Sequence, residues 1–349
     1  MNTISLTMKE VTDMYPLLSS NIRKILGVVL CLVLLIYLCY ASLVFGVIDT
    51  SWQTAIDAYT HFNGSNEHIV IKEVRVPRVL NALSVGFCLG LAGTLLQSLT
   101  RNPVADVELF GLNAGAALFV VFAVTFIGIS SLTQFTWIAF IGSAAAGIVV
   151  YLLGSLGRDG LSPVKLILAG AAITALSASI RHGMMVLNEK AADEVLFWLA
   201  GSVGGRKLEY LETVFPYMLV AWILAFLLAR PIQTLLMGED VAKGLGQRTL
   251  LVKIMTGLVL VLLSGSAVAV AGPIGFVGLV TPHLARFFVG IDTRWVLLYS
   301  GMFGSVLLLA ADIAARFVAM PAEVPIGVMT ALIGIPFFIY VARKGLDEK

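Results

Sequence analysis

Residues 75–106 read RVPRVLNALSVGFCLGLAGTLLQSLTRNPVAD, a glycine-rich apolar segment with charged residues at both ends. Arg75 and Arg78 open the segment, three positions apart, and Arg101 stands near its close. The apolar run between them is long enough to cross the roughly 30 Å hydrocarbon core of a membrane as a helix. The segment therefore predicts a transmembrane helix with fixed charges at both membrane surfaces.

The composition of the whole chain agrees with a membrane location. Of the 349 residues, 59% are hydrophobic and 13% are charged, whereas soluble domains carry roughly 25% charged residues. So few charged side chains cannot cover a water-facing surface, which excludes a soluble protein. The three cysteines lie inside apolar runs without the spacing of a metal site or a disulfide pair, so we interpret them as core residues.

With about 20 mainly apolar residues required for each span, the chain contains ten candidate transmembrane helices. They cover residues 25–47, 78–99, 107–129, 134–156, 163–187, 213–236, 251–271, 273–290, 295–319 and 325–343. Gly272 and Pro273 separate the seventh span from the eighth, because proline cannot continue a helical hydrogen-bond ladder. The predicted fold class is therefore all-α, a polytopic membrane protein of ten transmembrane helices.

Lysine and arginine collect on one side of this arrangement. With the N-terminus in the cytoplasm, fifteen of the 23 basic residues fall on the cytoplasmic side and eight on the other. The bias predicts that both termini are cytoplasmic. It divides the chain into a cytoplasmic tail, residues 1–22, a single transmembrane domain, residues 23–345, and a cytoplasmic loop within that domain, residues 237–250.

Small residues recur at four-residue spacing within the spans, as in the pairs Gly86 with Gly90 and Gly142 with Ala146. Such spacing lets two helix backbones approach each other closely. We interpret both pairs as packing contacts inside one bundle rather than as a seam between two molecules.

The predicted cytoplasmic loop differs in pattern from the other connections. Gly238 precedes the acidic residues Glu239 and Asp240, and acids are favoured in the first turn of a helix. Val241 and Leu245 follow at helical spacing. The pattern predicts a short amphipathic helix, a suitable docking element for a soluble partner, and a solvated turn is the alternative.

Residues 188–205 are first acidic, then aromatic, then rich in glycine. This order is typical of a short helix at the membrane surface, with Phe197 and Trp198 at the level of the lipid headgroups. Anchoring is the simpler role of such a helix, and gating of an adjacent pore is the second interpretation.

No group of residues in the chain has the spacing of a catalytic or nucleotide-binding site. None of the four histidines has a second metal ligand at helical spacing, and the motif Gly-x-x-x-x-Gly-Lys-Ser/Thr is absent. A P-loop ATPase is therefore excluded, and a membrane-embedded enzyme is disfavoured. We expect no catalytic residue, metal site or cofactor in the chain itself.

Several motifs in one order and spacing resemble the permeases of ABC importers for ferric siderophores, haem and cobalamin. The matching stretches include Arg75-Val-Pro-Arg78, Gly93-x-x-x-Gln97, Arg101-Asn-Pro-Val-Ala105, Leu109-Phe-Gly-Leu-Asn-Ala-Gly115, Gly272-Pro-Ile-Gly-Phe-Val-Gly-Leu-Val-Thr-Pro-His283, Ala311-Asp312…Arg316 and Glu323-Val-Pro-Ile-Gly327. The resemblance extends from about residue 25 to residue 345. It implies the fold of the cobalamin-importer permease, a type II ABC importer, with a second permease subunit that is identical or homologous.

The resemblance also implies partner proteins and the residues that contact them. Two cytoplasmic ATPase subunits would supply ATP hydrolysis and dock on the predicted cytoplasmic loop. The implied coupling residues are Gly238, Glu239, Asp240, Val241, Ala242, Leu245 and Gly246. An extracytoplasmic solute-binding protein would place glutamates on Arg75, Arg78 and Arg316. We expect these arginines to lie exposed at span ends, where guanidinium groups form bidentate pairs with carboxylates.

The gate and the translocation path are implied in the same way. The family's cytoplasmic gate lies between the fourth and fifth spans, and the second, fifth, eighth and tenth spans would line the path. The implied gate residues are Leu161, Ser162, Pro163 and Val164, of which the proline departs from the small hydroxylated residues that are frequent there. Gln97 is either a polar lining residue or a buried hydrogen-bonding group between helices.

The implied function is translocation of a ferric siderophore, or a related iron complex, across the bacterial cytoplasmic membrane. Haem and cobalamin stay open as substrates, because the binding protein carries most of the selectivity in this family. A secondary active transporter is the alternative of another class. It would need ionisable residues at mid-membrane, for which Asp312 and Arg181 are the only candidates, since the other charges cluster at span ends.

Overall fold

The computed structural model describes residues 16–46, 50–129, 131–156, 163–187, 196, 198–319 and 322–347. Within these ranges the chain is helical and contains no β-strand. The helices are α1 (Asn21–Val44), α2 (Trp52–Thr60), α3 (Asn66–Ile69), α4 (Val76–Thr100), α5 (Leu112–Phe122), α6 (Leu132–Ser155), α7 (Pro163–Leu187), α8 (Leu208–Leu236), α9 (Glu239–Gly244), α10 (Thr249–Ala271), α11 (Val277–Val289), α12 (Thr293–Val318) and α13 (Ile326–Asp347). A π-helical turn, Val70–Arg75, joins α3 to α4.

Seven of these helices are long and apolar enough to cross a membrane. They are α1, α4 with the helical turns that precede it, α6, α7, α8, α10 and α12. Shorter apolar stretches occupy Leu112–Ile127, Val277–Val289 and Ile326–Phe337. Each of the ten predicted spans thus overlaps a helix, and seven of those helices have the length of a complete span.

Helix α4, which contains the apolar run quoted above, is the central helix of the bundle. In its most apolar window 83% of the residues are buried, compared with 22% for α1 and α7 and 28% for α8. Helices α8, α10, α11 and α12 pack around it. The low burial of α1, α7 and α8 leaves apolar side chains that a surrounding bilayer or another subunit has to cover.

Glycines bring α4 into backbone contact with α12. A Cβ atom added to Gly86 would collide with the backbone of Gly304, and one added to Gly90 would collide with the carbonyl of Ser300. Both contacts are between backbones, so no flexible side chain can move aside to relieve them. The predicted packing role of Gly86 and Gly90 within one bundle is therefore confirmed.

Two further contacts of this kind fix neighbouring helices. A Cβ atom on Gly93 of α4 would collide with the Gly278 carbonyl of α11. On α6, Gly142 and Ala146 pack against Gly115 of α5, as the small-residue spacing predicts. Close backbone approach of this type is how helices associate in a membrane, where lipid removes most of the hydrophobic driving force between them.

The break between the seventh and eighth predicted spans lies where the sequence places it. Helix α10 ends at Ala271, Gly272 adopts a φ of +74°, and α11 begins at Val277. Glycine populates this left-handed region without a steric penalty. The turn is packed against the carbonyl of Trp198, which a Cβ atom on Gly272 would meet.

The packing of this turn contradicts the expectation that Trp198 lies at the membrane surface. Trp198 is only 2% exposed and belongs to the core, so its ring does not face the lipid headgroups. The chain that follows it enters the bundle, because the Ser202 amide donates to the Ala271 carbonyl at 2.8 Å and the Gly327 amide donates to the Gly201 carbonyl at 3.1 Å. Phe197 lies outside the described residues.

Candidate functional site

The charges that flank the apolar run lie at opposite ends of the bundle. Helix α4 has 25 residues, and at about 1.5 Å per residue it is about 37 Å long. Arg78 lies in its first turn, and Arg101 follows its last residue. The Arg101 guanidinium donates to the Leu235 carbonyl at 2.7 Å, next to the loop of residues 237–250. One end therefore carries the three arginines expected to dock a binding protein, and the other carries the loop expected to couple to an ATPase.

At the first end, two arginines and two carboxylates are hydrogen-bonded to one another, and Arg75 adjoins them at the end of α1. We call these five residues the arginine network: Arg75, Arg78, Asp312, Arg316 and Glu323. Asp312 is its centre. Its Oδ1 accepts a hydrogen bond from Arg78 Nε at 2.7 Å, and its Oδ2 accepts one from Arg316 Nη2. The Asp312 side chain has no exposed surface, so a single buried carboxylate joins the guanidinium groups of α4 and α12.

Glu323 completes the pairing of Arg78. The Nη1 group of Arg78 donates to both carboxylate oxygens of Glu323, at 3.0 and 2.8 Å. The Glu323 side chain is 41% exposed, whereas those of Arg78 and Arg316 are 7% and 3% exposed. Glu323 thus links α4 to the segment that enters α13, and it is the member of the network that water reaches.

The remaining donors of the arginine network cap the end of α1. Arg75 Nη1 donates to the Val44 carbonyl at 2.9 Å and also contacts Thr50 Oγ1. Arg316 Nη1 donates to the Ser42 carbonyl at 2.7 Å. The last carbonyls of a helix lack intrahelical partners, and cations are favoured at that end of its dipole. These contacts therefore lower the cost of burying the two guanidinium charges.

The expectation that the three arginines lie exposed is wrong. Arg75, Arg78 and Arg316 are 4%, 5% and 2% exposed. Two carboxylates and the end of α1 satisfy their charge inside the chain, and a paired, hydrogen-bonded charge tolerates burial. Of the three, Arg78 is the one paired with a side chain that water reaches, Glu323.

The role of the two carboxylates is the part of this site that the sequence did not reveal. The sequence marks Asp312 as a motif residue and as a candidate mid-membrane charge, and Glu323 as a motif residue, but it pairs neither of them with Arg78. The spacing of Asp312 and Arg316 is one available signal, because residues four apart lie on the same helix face. No comparable signal connects Arg78 with Asp312, which is 234 positions away.

At the second end, α9 confirms the short amphipathic helix predicted after Gly238. Gly238 has a φ of +133°, and the helix begins at Glu239. Ala242 is fully buried against the bundle, whereas Val241 and Leu245 are 47% and 69% exposed. Asp240 and Gly246 are exposed as well. The loop of residues 237–250 therefore exposes two apolar side chains, Val241 on α9 and Leu245 directly after it, while Ala242 packs on the bundle.

Polar contacts hold α9 against the neighbouring helices. Lys253 of α10 donates to a Glu239 oxygen at 2.7 Å, and Lys243 lies 3.2 Å from the other oxygen. Gln247 donates to the Pro231 carbonyl of α8 at 2.8 Å. The hydrogen bond from Lys253 holds the pKa of Glu239 below its ordinary value. The carboxylate is therefore charged at neutral pH, and its contribution is lost only as the pH falls through that lowered pKa.

Gln97 forms a buried link between two helices. It is 4% exposed, and its Nε2 donates to the carbonyls of Gly278 and Leu279, each at 3.3 Å. Its Oε1 accepts a hydrogen bond from Arg286. Of the two interpretations open for this residue, the geometry is that of the interhelical hydrogen bond, here between α4 and α11.

Half of the expected gate falls outside the part of the chain that the structure describes. Leu161 and Ser162 belong to the range without description. Pro163 is the first residue of α7, and Val164 is 64% exposed. Among the described residues, no three His, Cys, Asp or Glu side chains converge as metal ligands would.

Comparisons with known proteins give one consistent result. The sequence profile of the FecCD transport family matches residues 33–344. The chain is 52% identical over 323 residues to the probable siderophore transport system permease protein YfiZ of Bacillus subtilis (strain 168), covering 93% of this chain and 97% of that protein. It is 39% identical over 313 residues to the ferric enterobactin transport system permease protein FepD of Escherichia coli (strain K12), covering 90% and 93%.

A solved structure shows the same architecture. A metal-chelate type ABC transporter in an inward-facing conformation superposes with a TM-score of 0.80. The match has 28% sequence identity and covers 93% of this chain and 100% of the other. The similarity therefore includes the whole bundle, from α1 to α13, rather than a local group of helices.

Proposed function

The chain belongs to the FecCD transport family, and we propose that it is the permease subunit of an ABC importer that moves a ferric siderophore, or a related iron complex, into the cytoplasm. The observation that carries the proposal is the 52% identity along almost the full length of a siderophore permease. The similarity of the whole bundle to a metal-chelate transporter supports it. Haem and cobalamin are the alternative substrates.

The proposal includes ten membrane crossings in the bacterial cytoplasmic membrane, with both termini in the cytoplasm. The overlap of each predicted span with a helix supports the number, and the distribution of basic residues supports the orientation. A second permease subunit, identical or homologous, would cover part of the apolar surface that α7 and α8 leave exposed. The substrate would pass between the two subunits.

Two separate ATPase subunits would supply the energy, because the sequence has no P-loop. No cofactor is proposed for this chain itself. The exposed Val241 and Leu245 of α9 fit a docking element, since apolar residues on a projecting helix favour binding in a groove of a partner. The contacts of Glu239 and Gln247 would transmit the movement of α9 to α10 and α8.

A charge at the tip of α9 is expected to uncouple transport from ATP hydrolysis. Leu245→Asp places an ionised group in the proposed interface, and loss of a central interface contact costs about 2 kcal/mol or more, equivalent to at least about a thirtyfold loss of affinity. We expect uptake of radioactive ferric siderophore in complemented cells to fall by a similar factor. The membrane level of the subunit should stay unchanged, because the Leu245 side chain is mostly exposed.

The matched control is Leu245→Met, which keeps an apolar side chain of similar volume at the same position. This variant should retain uptake and ATPase stimulation. Normal uptake by Leu245→Asp would show that α9 is not the coupling element.

We propose that a solute-binding protein docks by exchanging one of its carboxylates for Glu323. A glutamate of the binding protein would replace the half-exposed Glu323 on Arg78, while the buried Asp312 stays in place. Exposed ion pairs contribute about 1 kcal/mol or less, so this exchange is energetically accessible. In this arrangement Arg75 and Arg316 do not contact the binding protein. Both bind the end of α1, and Arg316 shares Asp312 with Arg78.

Glu323→Gln should therefore strengthen capture of the binding protein, by about twofold to fivefold in Kd, because it removes the competing charge. The matched control is Glu73→Gln, which removes an exposed carboxylate in the π-helical turn just before α4 without touching Arg78. Kd values for both variants in nanodiscs check the expectation. Unchanged or weaker capture by Glu323→Gln alone would exclude the exchange.

The buried carboxylates bear on the alternative of a secondary transporter. Asp312 is held by two guanidinium groups. Asp106, which the structure also buries, accepts the amides of Val107 at 2.7 Å and Phe276 at 3.1 Å. An ion-coupled carrier needs an ionisable site that binds and releases its ion during the cycle. The oxygens of both carboxylates are already occupied by donors of the protein.

A further inference from the structure

Helix α2 packs on the bundle through small residues and turns large ones outward. Ala55 and Ala58 are 6% and 0% exposed and lie in one cluster with Ile71. Large apolar and aromatic residues of the same helix stay uncovered in this chain: Trp52, Ile56 and Tyr59 are 47%, 45% and 56% exposed. A helix this short gains little stability from such residues unless something covers them.

The exposed residues of α2 fall on two different faces. At about 100° per residue, Trp52, Ile56 and Tyr59 lie within one arc of about 60°. The exposed polar residues lie on a separate arc, about 100° further round: Gln53, Asp57 and Thr60. Helix α2 therefore has a packed face, an apolar face and a polar face, as expected for a helix at a boundary between lipid and water.

Contacts with α1 give the depth of the apolar face. The rings of Tyr40 and Trp52 are 5.0 Å apart in an edge-to-face arrangement. Tyr40 is four residues from the end of α1 at Val44, which corresponds to about 6 Å. Helix α1 is about 36 Å long by the same measure, against a hydrocarbon core of about 30 Å. Trp52 is thus placed near the edge of that core, beside a helix that is mostly unburied.

A cation lies at the same level. The Lys72 ammonium is 5.6 Å from the ring centre of Tyr59 and 4.8 Å from that of Phe62. Phe62 is itself 52% exposed. Aromatic rings together with lysine are typical of the headgroup region, where the rings meet the acyl boundary and the ammonium meets phosphate.

We propose that α2 is an interfacial helix that binds the phospholipid surface of the leaflet at the C-terminal end of α1. Trp52, Ile56 and Tyr59 enter the acyl boundary, continuous with the lipid-facing surface of α1. Lys72 lies at the level of the lipid phosphates. This assignment depends neither on the transported substrate nor on which side of the membrane the leaflet faces.

The experiment compares two adjacent positions on different faces of α2. Nitroxide labels are attached to Ile56→Cys and, separately, to Asp57→Cys, in a chain whose native cysteines Cys31, Cys39 and Cys88 are replaced by alanine. Each variant is reconstituted in bilayers of phosphatidylcholine and phosphatidylglycerol. Spin relaxation by oxygen, which concentrates in lipid, is compared with relaxation by a water-soluble nickel chelate.

The label at residue 56 should be relaxed more by oxygen, and the label at residue 57 more by the nickel chelate. Preference for the nickel chelate at both positions would show an aqueous surface and overturn the proposal. Protection of residue 56 from both reagents would show that protein covers this face, which also overturns it. Trp52 fluorescence gives a second measurement in the native-cysteine protein: brominated lipids should quench wild type more than Trp52→Phe.

Discussion

Asp312→Ala should lower the free energy of unfolding by about 3–5 kcal/mol, because it leaves two buried guanidinium groups without their shared carboxylate. Arg78 and Arg316 both donate to this side chain, and both are at most 7% exposed. After the substitution Arg78 would keep Glu323 as a partner, and Arg316 would keep the backbone oxygens of Ser42 and Phe45. The expected result is loss of the folded subunit at growth temperature, seen as a large drop in the midpoint of thermal unfolding in detergent.

The matched control is Glu323→Gln, which removes the other carboxylate paired with Arg78. Its side chain is 41% exposed, so the loss should stay within about 1 kcal/mol. Similar midpoints for the two variants would contradict the distinction between a buried structural carboxylate and an exchangeable one. A midpoint for Asp312→Ala equal to that of wild type would refute the arginine network itself.

Gly304→Ala should destabilise the bundle by about 3 kcal/mol, at the upper end of the range for overpacking. A Cβ atom at this position would collide with the Gly86 carbonyl and approach the Gly90 amide. Since both contacts are with the backbone of α4, the two helices have to separate along their crossing. The expected readout is a lower thermal midpoint together with reduced membrane levels of the protein.

Gly257→Ala is the matched control, because the same change on α10 meets no atom within 4 Å. Alanine is the better helix former by about 1 kcal/mol, so this variant should be as stable as wild type or slightly more stable. Equal behaviour of Gly304→Ala and Gly257→Ala would show that α4 and α12 are not in backbone contact.

Features that depend on local sequence were predicted well. The apolar runs located the helices because a long apolar segment in lipid satisfies its backbone hydrogen bonds by forming a helix. Helix α10 ends before Gly272, because the proline that follows this glycine cannot continue the helix. Helix α9 begins after Gly238, because acidic residues are favoured in a first turn. The small-residue spacing at Gly86 and Gly90 likewise predicted close packing, although not the partner helix.

Features that depend on which helices are neighbours were not predicted. The arginines at the span ends were expected at the surface, but the bundle brings Asp312 to Arg78 from a distant part of the chain. Trp198 was expected at the headgroups, but the following residues enter the bundle. The third predicted span begins later than expected, at Leu112, because Gly111 has a φ of +73° and interrupts the helix. Linear spacing carries no information on such contacts.

The most direct measurement of the central claim is uptake of a ferric siderophore into proteoliposomes that contain this permease, its ATPase subunits and its solute-binding protein. If the chain is part of an ABC importer, labelled iron should accumulate only when ATP is supplied on the ATPase side, and Leu245→Asp should reduce the accumulation by the same factor as it reduces uptake in cells. Accumulation by the permease alone, driven by a proton or sodium gradient without ATP, would contradict it.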